Sequence, residues 1–153
     1  GFMKEYMITD DTYAILPNGP KKSIIIEEDN QFYIDNSPRV VIKKNALMYG
    51  SSMDGRVEGS IYSIGSSYKT PILLSEKNCL LLFPTSSPRL RSCMWINLIN
   101  VKNILKDGKN GNGIIEFKNG TFLYLEISFY ILNNQYNRAL RLALISGKNN
   151  LIK

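Results

Sequence analysis

Phe117-Lys118-Asn119-Gly120-Thr121-Phe122 carries the plainest structural signal in the chain. Asn-Gly between β-rich flanks suits a two-residue type I′ turn, whose central residues both need positive φ. Such a turn sets Phe117 against Phe122 and Ile115 against Tyr124 on one face of a hairpin. An antiparallel sheet is expected, and the rest of the chain extends it. Glu5–Thr9 and Thr12–Leu16 are β-rich runs about Asp10-Asp11 and pair as a second hairpin. Pro17-Asn18-Gly19-Pro20 is a turn, because two prolines and a glycine cannot continue a strand. Ser23–Glu27, Gln31–Asp35 and Arg39–Lys43 read as three further strands, the last β-branched at Val40, Val41 and Ile42. Ile72–Leu74 and Cys79–Phe83 are apolar runs short enough to be buried strands, and Met94–Val101 is a strand centred on Trp95. Between them, Pro84–Ser92 holds two prolines, four hydroxyl residues and two arginines and is a loop; Lys106–Gly113 is another.

Two stretches change period. Ala46, Tyr49, Met53, Val57, Ile61 and Ile64 recur at helical spacing and predict a helix over about 45–64, despite Gly50, Gly55 and Gly59. Each glycine costs about 1 kcal/mol of helix propensity, so three of them point to close packing. That helix would turn Ser51, Ser52, Arg56 and Glu58 away from the apolar stripe. A second helix is expected over about 128–146, capped by Ser128 and stopped by Gly147. It would bury Phe129, Leu132, Tyr136, Leu140 and Ala143, with Arg138 and Arg141 opposite. The fold class is thus α+β, a mixed, mostly antiparallel sheet with two helices.

At 153 residues and 17.4 kDa the chain suits one domain, read over 3–147, with a frayed tail at 148–153. Gly1-Phe2 ahead of Met3 reads as a cloning remnant. No apolar run approaches a membrane span and no signal peptide is evident, so a cytoplasmic protein is expected. The chain has no histidine, which removes most zinc sites and every Ser-His or Cys-His nucleophile pair. Cys79 reads as a core residue, while Cys93 lies near Arg91, which would lower its pKa; two cysteines fit a reducing compartment without a disulfide. Gly50–Val57 has the glycine spacing of a phosphate loop, but Arg56 and Val57 stand where its Lys and Ser or Thr belong. Asp10-Asp11 and Glu27-Glu28-Asp29 are best read as solvated turns. Neither an enzyme nor a cofactor or metal is expected.

Charge is unevenly spread. Residues 1–36 carry a net −4, residues 37–106 a net +7 and residues 107–153 a net +3. A basic middle suggests a polyanion partner, beside the plainer reading of a solvated surface. The candidate contacts are Lys43, Lys44, Arg56, Lys69, Arg89, Arg91 and Lys102 for charge, with Ser51, Ser52, Ser92 and Asn97 for neutral hydrogen bonds and further serines at 66, 67, 86 and 87. Arginines on a loop suit the floor of a groove. Asn, Ile, Lys and Tyr fill 57 of 153 positions, a bias that matches AT-rich codons.

Several ordered motifs resemble one family, the bacterial competence transcription factors (ComK). They are Tyr49-Gly50-Ser51-Ser52-Met53-Asp54-Gly55-Arg56, Lys69-Thr70-Pro71-Ile72, Leu82-Phe83-Pro84-Thr85-Ser86-Ser87 followed by Trp95-Ile96, Asn119-Gly120, and Ile127-Ser128 through Asn134-Gln135-Tyr136. The likeness spans about residues 40–145. It departs at Thr70, where the family often has Pro, and at Arg91-Ser92-Cys93-Met94 before the Trp. The resemblance implies a cytoplasmic, nucleoid-associated activator of DNA-uptake genes in a low-GC Gram-positive bacterium. It implies binding to AT-rich boxes in double-stranded DNA through the minor groove, as dimers that pair across two boxes, with RNA polymerase as a further partner. Family members usually run on for some tens of residues past the equivalent of Lys153, an extension that helps recruit an adaptor of a Clp protease. The alternative from the residues alone is a basic interaction protein that binds RNA or an acidic protein.

Overall fold

Leu80-Leu81-Leu82-Phe83 is apolar at successive positions, which a strand with one wet face does not need. The computed structural model, which describes residues 5–65 and 68–152, covers this strand on both faces. Leu80 and Leu82 enter one core with Ile15, Ile25, Ile42 and Trp95. Leu81 and Phe83 enter a second with Tyr13, Ile96, Phe117 and Leu132. Gly1 and Phe2, with the candidate serines Ser66 and Ser67, lie outside the described residues.

The strands are β1 (Thr12–Pro17), β2 (Ser23–Glu27), β3 (Gln31–Ile34), β4 (Ile72–Ser75), β5 (Leu80–Pro84) and β6 (Trp95–Asn97). They form a sheet in the order β3-β2-β1-β6-β5-β4, antiparallel throughout. A second antiparallel sheet holds β7 (Val101–Lys106), β8 (Asn112–Phe117) and β9 (Phe122–Ser128). Helices α1 (Pro38–Met48) and α2 (Met53–Ile64) supply Val41, Ile42, Ala46, Met53 and Val57 to the first core. The second sheet and α3 (Phe129–Ile152) close the second core with Ile115, Phe117, Leu132, Ala139 and Leu142. The class is α+β as expected, with three α-helices among the described residues instead of two.

The expected strand at Arg39–Lys43 is the middle of α1. Ser37 caps it, its Oγ accepting from Val40 N–H at 3.4 Å, and Pro38 occupies the first turn. Ser-Pro at a helix start outweighs the β-branched Val-Val-Ile run, because propensity is weaker than a cap joined to a buried face. The expected continuous helix over 45–64 is broken. Gly50 has φ +83°, Gly50 N–H bonds Leu47 O, and Ser51 N–H reaches back to Ala46 O at 2.9 Å. That closes α1, and Ser52 caps α2 by accepting from Gly55 N–H at 3.0 Å. The apolar stripe persists across the break because both helices cover the same core.

The hairpin at Asn119-Gly120 exists with a different turn. Only Gly120 has positive φ there, and Phe117 N–H bonds Thr121 O, so the loop has three residues, Lys118–Gly120. Phe122 then faces Glu116, and Tyr124 faces Ile114. This one-residue change in register puts Phe117 in the core and leaves Phe122 half exposed. Glu5–Thr9 is irregular and forms no strand. Met94–Val101 divides into β6, a 3-10 turn at Leu98–Asn100 and the start of β7. The backbone of α3 stays helical past Gly147 to Ile152. Its buried face is Leu132, Gln135, Ala139 and Leu142, while Leu140 is exposed. Cys79 is exposed at φ +51° in the turn before β5.

Candidate nucleic-acid interface

Basic side chains gather around Arg39, which the first turn of α1 holds at its head. Three hollows share it. One of about 140 Å³ is walled by Arg39, Arg89 and Arg91 over Cys93 and Trp95. A second of about 400 Å³ adds Tyr68, Lys69 and Ser87 to Arg39 and Arg89. A third of about 340 Å³ is lined by Arg39, Lys43 and Ser52. Among the described residues Asp54 is the one carboxylate on their walls.

The residues expected from sequence thus fall into two groups. Lys43, Ser52, Lys69, Arg89 and Arg91 converge. Ser92 and Lys44 lie on the same loop and helix as members of that group without lining a hollow; Ser92 is exposed and Lys44 half-buried. Arg56 and Ser51 open instead onto a hollow of about 440 Å³ that also involves Leu73 and Leu142. There Arg56 Nη2 donates to Leu74 O at 3.2 Å, and its Nε is buried without a partner. Lys102 belongs to the second sheet and pairs with Glu116 at 3.9 Å. Asn97 is fully buried; its Nδ2 donates to Thr12 O at 2.8 Å and to Thr9 O at 3.2 Å, which fixes the turn before β1. An amide without accessible surface holds backbone and reaches no ligand.

Arg39 and Tyr68 were not among the candidates. The signal for Arg39 is Ser37-Pro38, a helix start that places the next side chain on a rigid element. Tyr68 is 61% exposed, and Lys69 Nζ lies 5.1 Å from its ring centroid. Lys69 itself has φ +50°, uncommon for a residue with a Cβ. Helix α3 holds it there. Gln135 Nε2 donates to Lys69 O and to Pro84 O, both at 2.7 Å, and Arg138 Nη1 donates to Tyr68 O at 2.6 Å and Gln135 Oε1 at 2.9 Å. One buried amide therefore fixes both the Tyr68-Lys69 segment and the root of the arginine loop.

The loop is tied across its base, where Thr85 exchanges bonds with Met94: Thr85 N–H to Met94 O at 2.9 Å, and Met94 N–H to Thr85 Oγ1 at 3.1 Å. Cys93 is buried between these strands, and burial pushes its thiol above the usual range, overriding the hydrogen bonds around Ser86. The expected lowering by Arg91 does not occur; desolvation of the thiolate sets the direction. Among the described residues no group of three His, Cys, Asp or Glu could hold a metal ion, and no helix is long and apolar enough to cross a membrane.

The chain matches the family model described as ComK protein over residues 3–150. It is 32% identical over 139 residues to the competence transcription factor of Bacillus subtilis (strain 168), covering 89% of this chain and 72% of that protein. No solved structure matches it. A family match across nearly the whole length, joined to that identity, means that this chain belongs to the ComK protein family.

Proposed function

We propose that this protein is a competence transcription regulator that binds AT-rich duplex DNA through the minor groove. The observation that carries the reading is the convergence of Lys43, Lys69, Arg89 and Arg91 on Arg39, with Asp54 the only facing carboxylate among the described residues. The relative's printed name supports the regulatory role. Arg89 and Arg91 sit one residue apart on a loop pinned at Pro84 and Thr85, which suits side chains that enter a narrow groove. Lys43 and Lys69 would meet phosphates, with Lys44, Ser52 and Ser92 at the margin. The protein acts as a binder without catalysis, in the cytoplasm at the nucleoid. Dimers would pair on two boxes and engage RNA polymerase.

The test is a gel shift with a duplex carrying paired AT-boxes, the same duplex with G·C substitutions, and netropsin as competitor. AT preference lost to netropsin supports the reading; equal affinity for both duplexes with no competition sinks it. The exposed Tyr68 beside Lys69 favours one second reading, a base-stacking surface for RNA. A matched single-stranded RNA that binds more tightly than the AT-box duplex would select it.

A further inference from the structure

The hollow of about 140 Å³ differs from the others in charge. Arg39, Arg89 and Arg91 all line it, and among the described residues no carboxylate does. None of the three guanidinium groups has a hydrogen-bond or ion-pair partner among the described residues. Three like charges around one small space repel, and although water and salt screen exposed groups, an anion placed among them is favoured. The space is too small for a nucleoside or a drug-sized ligand, which take hollows of about 300–1,000 Å³. It has room for a few waters, each about 30 Å³ of liquid, so one tetrahedral oxyanion fits.

We propose that this hollow is a phosphate seat with Arg39 as its anchor. The inference rests on the DNA reading only for which molecule carries the phosphate. The three arginines differ in support. Arg39 is in the first turn of an 11-residue helix, whose N-terminal partial charge also favours an anion. Arg89 and Arg91 are on a loop. A guanidinium rooted on helix backbone is the better grip on a backbone phosphate, presenting two parallel N–H donors, while arginines rooted on a loop reach past it into the groove. Seating one phosphate at Arg39 would set the register in which Arg89 and Arg91 meet the bases.

Inorganic phosphate titrated into the free protein, with chloride as the control, is followed through the arginine Nε–Hε signals by NMR. Arg39 should shift with saturation, and Arg39→Ala or Arg39→Gln should abolish the effect at the other two arginines. No saturable arginine shift with phosphate overturns the seat. In duplex binding, Arg39→Ala should weaken AT-rich and GC-rich DNA by the same factor, about tenfold, and reduce the salt slope by about 1. Arg39→Lys should recover part of the loss. Loss confined to AT-rich DNA would make Arg39 a base reader and overturn its role as anchor. Phosphate shifts with DNA affinity unchanged in Arg39→Ala would support the seat and assign it to a free phosphate compound. Phosphate shifts in a protein that binds no duplex would end the DNA reading and leave the seat standing.

Discussion

Gln135 Nε2 lies 2.7 Å from the main-chain oxygen of Lys69, and through that bond a buried helix residue holds Lys69 in a left-handed conformation. The same nitrogen donates to Pro84 O, so two separate segments of the basic face hang on one side chain. A polar residue on the buried stripe of α3 is costly unless its hydrogen bonds are met, and here both amide protons and the oxygen are used.

Gln135→Ala should destabilise the protein by about 2–4 kcal/mol, because two buried carbonyls lose their donor. Urea denaturation measures this. At the partner position, Lys69→Gly should be more stable than Lys69→Ala by about 1 kcal/mol, since glycine alone adopts positive φ without a Cβ clash. Equal stability of the two variants would mean that the left-handed conformation is not held in solution.

Arg89→Ala and Arg91→Ala should each lower affinity for AT-rich DNA by about 1–3 kcal/mol and for GC-rich DNA by much less. The floor of an A·T minor groove offers only acceptors, while G·C pairs add a protruding amino group. Lys69→Ala removes a side-chain charge that phosphate contact would use and should weaken both duplexes about equally. With roughly five to eight phosphates neutralised per protomer, log K should fall with log salt at a slope of about −4 to −7. A slope near zero would remove electrostatics from the account.

The two thiols should react at very different rates. Cys79 is exposed in a turn, whereas Cys93 is buried with its thiol pushed up by desolvation. A thiol reagent should modify Cys79 promptly and Cys93 only on unfolding. Reductant should leave the melting temperature unchanged, because both thiols are free. Two equally fast reactions would contradict the burial of Cys93.

Alkaline pH should unfold the protein through Tyr6. Burial, then its bond to the Glu27 carboxylate, raises its hydroxyl well above the ordinary value of about 10. The unfolded chain loses this proton near pH 10 while the folded chain keeps it. The folded state therefore binds more protons above that pH, and stability falls by up to about 1.4 kcal/mol per pH unit. Tyr13 and Tyr49 are raised as well, again mainly by burial, and add to the same trend. Tyr6→Phe should start less stable at pH 7, because Thr12 and Glu27 lose a partner, but decline less steeply above pH 10. Identical slopes would exclude Tyr6 as the titrating group.

Local chemistry was readable from the residues where neighbours a few positions apart decide the outcome. Ser23–Glu27 as a strand, Pro84–Ser92 as a loop bearing Arg89 and Arg91, and a hairpin about Asn119-Gly120 depend on turn residues and alternation, which act within one segment. The basic middle of the chain is a property of composition. Tertiary structure decided the rest. Gly50 ends α1 because two helix axes must both lie on one sheet face, a demand that the apolar period of 45–64 does not express. Gln135 is buried because carbonyls from Lys69 and Pro84 converge on it, 66 and 51 residues away in sequence. Asn97 is drawn into the core by Thr9 and Thr12 in the same way. Arg39 meets Arg89 and Arg91 only because α1 packs near the loop that leads to Trp95. Polar residues whose amide nitrogens bond distant backbone, and charges brought together across the fold, have no period and no spacing. Their positions follow from packing alone.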